Sequence, residues 1–211
     1  MLPLLLDARG KLVVVFGGGE VGLRKAIFFS READVTVISR SFVAGFQNLG
    51  SKVKKILSEI GPEQELLIAN ADFVIIATED RELNDRLEAK AIACGKFCNR
   101  ADGVSSFLIP SVVERRNYLV AISTMGRSPG MSRFLKGVFE EKLVPEYSSM
   151  VDLQEELREQ AKVLIPDQTA REEILWDILK DKRIWELLSN DPDQARKMAL
   201  TKMGVSDADD T

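Results

Sequence analysis

The chain has 211 residues, 45% of them hydrophobic and 29% charged, with a formal net charge of −4. That length suits one large domain, or a dinucleotide-binding domain of ordinary size plus a smaller one. The weak negative charge offers no basic field for nucleic acid or a membrane surface, and no apolar run is long enough to span a bilayer. Two cysteines and no histidine mean no disulfide framework, which suits a cytoplasmic protein. They also leave no imidazole to hold a metal, so any catalytic acid or base must be Asp, Glu, Lys, Tyr or Cys.

The apolar stretch Leu2–Leu6 lacks a basic flank and ends at Asp7 and Arg9. It reads as an edge strand or extended arm rather than a signal peptide. Leu12-Val13-Val14-Val15-Phe16 is an unbroken apolar, β-branched run, the pattern of a strand buried on both faces of a parallel sheet. Gly17-Gly18-Gly19-Glu20-Val21-Gly22 follows at once and fits G-x-G-x-x-G, and a helix-spaced segment follows from Val21 to Glu32. Strand, glycine turn and helix stand in the order that a dinucleotide site requires. Gly17 permits the tight turn, Gly19 lets a pyrophosphate approach the backbone, and Gly22 lets the helix pack closely. The amides at the helix start then face the anion. A bound dinucleotide is the expectation, with residues 17–22 around its pyrophosphate.

Val35–Ile38 reads as the second strand and ends in Ser39-Arg40-Ser41. An acidic residue usually stands there to bind the ribose hydroxyls, whereas an arginine suits a 2′-phosphate. These three residues are expected to touch the cofactor, and they leave NAD or NADP open. Phe42–Leu49 reads as a short helix, Val53–Leu57 as a weak third strand, Pro62–Ala71 as a helix, and Phe73–Ala77 as a buried fourth strand. Thr78 and Glu79 then stand at the sheet edge where open α/β folds bind ligands. A helix over Leu83–Ala93 and a fifth strand over Lys96–Arg100 complete a doubly wound half.

Beyond it, Ser106–Val113 and Tyr118–Ser123 read as two further strands around the charged turn Glu114–Asn117. Met131–Leu143 reads as a helix, and the remainder as helices over 146–164, 167–180, 182–189 and 192–203, before an acidic, frayed tail from Gly204. Cys94 and Cys98 are expected to be small buried hydrophobes, and Trp176 and Trp185 core packing. Asp102-Gly103, after the fifth strand, has the composition of a turn. Ser128-Pro129 has that of a helix N-cap.

Four segments together, LPLLLDARGKLVVVFGGGEVGLRKA, VIIATEDRELN, FCNRADGVSSFLIPSVV and LVAISTMGRSPGMSRFLK, resemble the precorrin-2 dehydrogenase family, the N-terminal module of siroheme synthase. The likeness covers essentially the whole chain. Because the chain ends at 211 without a methyltransferase domain, it is that of the stand-alone form. It implies three parts: a Rossmann-like NAD-binding domain over 1–110, a small α+β dimerisation segment over 111–145 and a helical C-terminal domain over 146–211. It further implies a homodimer with the tetrapyrrole bound between domains of two subunits. The implied reaction is oxidation of precorrin-2 to sirohydrochlorin with NAD+, and some members also insert Fe2+ to give siroheme. The family's CN-x-x-D motif places the central catalytic role on Asp102, as proton acceptor in both steps. Arg127 and Ser128 become candidates for a substrate carboxylate. The competing reading is an NAD(H)-binding regulatory module without catalysis.

Overall fold

A computed structural model describes residues 1–103 and 105–205 of the chain. The acidic tail beyond 205, expected to fray, lies outside the described residues. The chain divides into two compact units, Met1–Ile109 and Pro110–Thr211.

The first unit is built on five parallel strands: β1 (Leu12–Phe16), β2 (Asp34–Ser39), β3 (Val53–Leu57), β4 (Phe73–Ile76) and β5 (Phe97–Arg100), in the order β3-β2-β1-β4-β5. This is the order of a dinucleotide-binding half, and the direction of winding reverses between β1 and β4. Side chains alternate across the sheet. Val13 and Val15 of β1, Val35 and Val37 of β2 and Ile75 of β4 pack with Leu23, Ala26 and Phe29 of α1 (Glu20–Phe29). Val14, Phe16, Ile38, Val74 and Ile76 face the other way, onto Ile68 of α3 (Leu67–Asn70) and Leu87 and Ala91 of α4 (Arg81–Ala93). Burial on both faces explains why β1 and β4 carry no polar residue at all. Each fully buried Val or Ile contributes roughly 1.5–3 kcal/mol relative to exposure.

Of the two readings of Leu2–Leu6, the edge strand is excluded: the segment is not a strand and its leucines are exposed, as in an arm. Two further local expectations are corrected. The segment Pro62–Ala71 is two one-turn helices, α2 (Pro62–Glu65) and α3, broken at Leu66. Ser106–Val113 is a strand only at its end, as β6 (Ser111–Glu114). Pro110 cannot donate to a ladder, and the serines before it serve the outer edge of β5. The Cys98 amide donates to Ser106 Oγ (2.7 Å) and the Arg100 amide to Ser105 Oγ (2.9 Å). Two hydroxyls thus cover an edge that a further strand would otherwise pair.

Cys98 is buried in β5, as expected, but Cys94, at the end of α4, is exposed. Burial, aided by the charge of Glu88, pushes the Cys98 thiol up to about 11. Only the thiolate is nucleophilic. A disulfide reagent at neutral pH should therefore react rapidly with one thiol per chain, and Cys94→Ser should abolish that phase until the protein is denatured. Two fast thiols in the native wild type would contradict this packing.

In the second unit, β6 and β7 (Leu119–Ile122) form an antiparallel hairpin. It is followed by α5 (Pro129–Lys142), α6 (Glu146–Leu164), α7 (Gln168–Lys180), α8 (Lys182–Asn190) and α9 (Pro192–Lys202). The hairpin turn is tied down rather than solvated. Arg115 donates to the carbonyls of Glu140 (2.9 Å) and Leu143 (3.3 Å), and Asn117 Nδ2 to the carbonyl of Ser148 (2.8 Å). Arg116 pairs with Asp152. Helices α6 to α9 share a core around Leu153, Leu157, Ile178, Ile184 and Ala199, with Trp185 at its margin. Trp176 is not core: it is exposed beneath the Lys180 ammonium, 5.4 Å from the ring centroid.

Candidate functional site

The glycine loop lies across the carboxyl ends of β1, β2 and β4, where the winding reverses. Gly17 takes φ +116°, a conformation that side chains oppose. A Cβ there would lie 2.2 Å from the Ala77 carbonyl oxygen at the end of β4. A Cβ at Gly18 would lie 2.1 Å from the Ser41 carbonyl oxygen, and one at Gly22 would lie 2.0 Å from the Gly17 carbonyl oxygen. These three glycines let three pieces of backbone close on one another. Gly19 differs. It is exposed, it starts α1 without a side-chain cap, and a Cβ there would meet nothing within 4 Å. Open space above uncapped helix amides fits a pyrophosphate approaching the backbone.

The same closure gathers the other cofactor candidates. Ser39 and Ser41 pack against Gly18, and the Thr78 amide lies near Gly17. Glu20 is exposed and Val21 half-buried in the first turn of α1. Arg40 and Glu79 are exposed.

Asp102 stands just past β5, and it is not merely a turn residue. Arg100 Nε donates to its Oδ1 at 2.6 Å and Nη2 to its Oδ2 at 3.1 Å, while Asn84 Nδ2 donates to Oδ2 at 3.3 Å. The Arg100 guanidinium, with its side chain only 6% exposed, also donates through Nη1 to Asp85 Oδ1 at 2.5 Å and to Glu88 Oε2 at 2.8 Å. Three carboxylates hold its charge well above the usual arginine range. In turn the hydrogen bonds from Arg100, with a smaller share from Asn84, lower the Asp102 carboxyl to about 2. Asp102 is thus ionised throughout the neutral range and is a weak base. The stabilisation from this pair is present above the ordinary aspartate value of about 3.9 and is lost as pH falls towards 2.

Asn84 connects the two halves of the site. Buried in α4, it donates to the Thr78 carbonyl at 3.0 Å and accepts from Thr78 Oγ1 at 2.5 Å. Thr78, behind the glycine loop, is therefore one hydrogen-bonded residue away from Asp102. Asn84 and Arg100 were not among the expected site residues. Arg100 leaves one trace in the sequence, a charge inside a strand, and such a charge is seldom fully buried unless paired. Asn84 leaves none, because its partners are fixed by the packing of α4 on the sheet.

Arg127 and Ser128 belong to the second unit. Ser128 caps α5, its Oγ accepting from the Met131 amide at 3.2 Å, and its own amide donates to Thr124 Oγ1 at 3.0 Å. Arg127 is exposed in the turn where Met125 and Gly126 both take positive φ. Arg115 and Arg116, by contrast, are spent on the hairpin clamp.

Residues 4–111 match the family model NAD_binding_7, described as "Putative NAD(P)-binding". The precorrin-2 dehydrogenase of Methanosarcina barkeri (strain Fusaro) is 39% identical over 94% of this chain and 91% of its own length. Siroheme synthases of Actinobacillus succinogenes and Escherichia coli (strain SE11) are 30% and 29% identical over 94% and 92% of this chain. The chain spans only 42% and 43% of their lengths. The solved structure of SirC, a precorrin-2 dehydrogenase, covers 97% of this chain and 99% of its own with a TM-score of 0.73. At 23% identity that likeness speaks for the fold. With 39% identity to a relative over 94% of this chain and 91% of that relative's length, the chain belongs to the precorrin-2 dehydrogenase family.

Proposed function

We propose that this protein oxidises precorrin-2 to sirohydrochlorin with NAD+, in the formation of siroheme. The observation that carries the reading is the continuous network from Thr78, behind the glycine loop, through Asn84 to the ionised Asp102. A regulatory module that only sensed NAD(H) would have no use for a fixed carboxylate beside its cofactor site, and the similarity to enzymes disfavours it. Bound NAD+ supplies a hydride acceptor. Residues 17–22 hold its pyrophosphate, Ser39, Arg40 and Ser41 flank its ribose end, and Thr78 and Glu79 edge its nicotinamide. Asp102 is the carboxylate we assign to the substrate, and Arg127 and Ser128 the groups that meet a substrate carboxylate. Incubation with precorrin-2 and NAD+ should yield sirohydrochlorin and NADH in equal amounts, followed by absorbance. No product above the enzyme-free control would refute the assignment.

We also assign Fe2+ insertion into sirohydrochlorin to this site, with the metal as substrate. Among the described residues no group of three Asp, Glu or Cys could hold a metal ion, so the macrocycle nitrogens would capture it. The two free thiols suit the reducing cytoplasm.

We divide the second unit into a dimerisation segment over 111–145 and a helical domain over 146–211. Met131, Phe134 and Val138 of α5 recur at helical spacing and are exposed, Phe134 by 65%. Among the described residues the β6-β7 sheet has no third strand, and such short sheets favour pairing with another chain. An isologous homodimer built on this segment would cover both. Sedimentation at micromolar concentration should give a dimer, and Phe134→Glu should shift it to monomer. A wild-type monomer would contradict the assignment.

A further inference from the structure

We propose that Arg100 is the positioning residue for Asp102, fixing its carboxylate in one orientation and presenting it to the substrate as a permanent negative charge rather than as a proton store. This rests on the assignment of Asp102 to the substrate site.

The geometry is specific to that task. Arg100 points its Nε and Nη2 edge at both oxygens of Asp102, a two-point contact that sets the plane of the carboxylate as well as its place. A lysine ammonium in the same place would supply charge but no plane. The remaining nitrogen, Nη1, is taken by Asp85 and Glu88 from α4. Those two contacts anchor the guanidinium to a helix packed on the sheet, so Asp102 is oriented by the fold rather than by its own short loop. Asn84, from the same helix, holds Oδ2 from another side. The charged groups facing Asp102 or its arginine are thus Arg100 itself, Asp85 and Glu88, with Asn84 the neutral neighbour.

The consequence is chemical. Asp102 has 40% of its side chain exposed, so it keeps an open side for substrate while the other is engaged. A carboxylate held by two arginine donors accepts a proton poorly, because protonation would cost it both charge-assisted bonds. The proton that leaves the macrocycle on oxidation therefore goes to solvent, and Asp102 acts by its charge.

The test reads the carboxylate directly. The full-length protein, labelled with 13C at the aspartate carboxyls, is titrated by NMR, and the Asp102 signal is assigned by its loss in Asp102→Asn. In the wild type that signal should show no protonation midpoint down to about pH 3, well under the ordinary value of about 3.9. In Arg100→Gln the midpoint should return to about 3.9 or above, and in Arg100→Lys it should lie between. Arg100→Lys should also lower kcat for precorrin-2 oxidation by about tenfold or more while leaving the KM for NAD+ unchanged, a split that loss of fold would not produce. A wild-type midpoint at or above the ordinary value overturns the proposal, whether or not the Arg100 variants fold. So does an Asp102 midpoint unmoved in a folded Arg100 variant. Absence of dehydrogenase activity in the wild type, with the NMR result as expected, would instead remove the proposed reaction and leave the role of Arg100 in holding Asp102 in place.

Discussion

Asp102→Ala is expected to lower kcat for precorrin-2 oxidation by about 10²–10³-fold, the usual cost of removing one preorganised charged group from a reacting centre. Dinucleotide affinity should not change, because Asp102 is linked to the neighbourhood of the glycine loop indirectly, through Asn84 and then Thr78. The fold should survive as well, since Arg100 keeps Asp85 and Glu88 as partners. The checks are steady-state kinetics, calorimetric titration with NAD+ and thermal unfolding on the same preparation. If one site performs both reactions, insertion of Fe2+ or Co2+ into sirohydrochlorin should fall with it. Insertion at the wild-type rate in the variant would assign chelation to another group. Insertion no faster than the spontaneous rate in the wild type would make the protein a dehydrogenase alone. An Asp102→Ala variant with wild-type oxidation would remove Asp102 from the site altogether.

Gly17→Ala and Gly19→Asp should fail in opposite ways. At Gly17 a methyl group meets the Ala77 carbonyl oxygen at 2.2 Å, and the backbone there stands at φ +116°. Backbone strain of about 1–3 kcal/mol and overpacking of about 1–3 kcal/mol combine, because the contact is with backbone that cannot rotate aside. The melting temperature should fall by about 10 °C or more. At Gly19 there is open space, so Gly19→Asp should fold normally. Its carboxylate would stand against the pyrophosphate, and affinity for NAD+ should drop by well over about tenfold, a cost above roughly 1.4 kcal/mol. A stable Gly17→Ala variant would contradict the packing of the loop on β4. A folded Gly19→Asp variant with unchanged affinity would remove the pyrophosphate from this loop. Fitting NADP more tightly than NAD, with the preference lost in Arg40→Ala, would assign the strand-end arginine to a 2′-phosphate.

What could be read from the chain by itself was what local chemistry decides. A β-branched run without polar residues must be buried on both faces, so β1 and β4 were legible to within a residue. The Ser128-Pro129 pair announced a helix start, and Ser128 accepts from the Met131 amide there; the caps Asp167, Asp181 and Asp191 emerged only with the structure. The glycine loop was legible because only glycine tolerates its backbone. The tertiary structure alone decided how distant segments share their polar groups. Ser105 and Ser106 became the cover of an exposed strand edge, and so ended the strand expected there. Arg115 and Arg116 were spent on the hairpin turn. Cys94 and Trp176, apolar by type, came to lie outside the core, Trp176 with only the Lys180 ammonium over its ring. The largest difference is at Asp102. Its position after the fifth strand is a matter of sequence, but its lowered proton affinity and fixed orientation are not. Those depend on a guanidinium two residues away and on Asp85 and Glu88, which reach that guanidinium only because α4 packs on the sheet beside β5. A hydrogen bond has no period along the chain, and a buried charge reveals its partners only when the fold has closed around it.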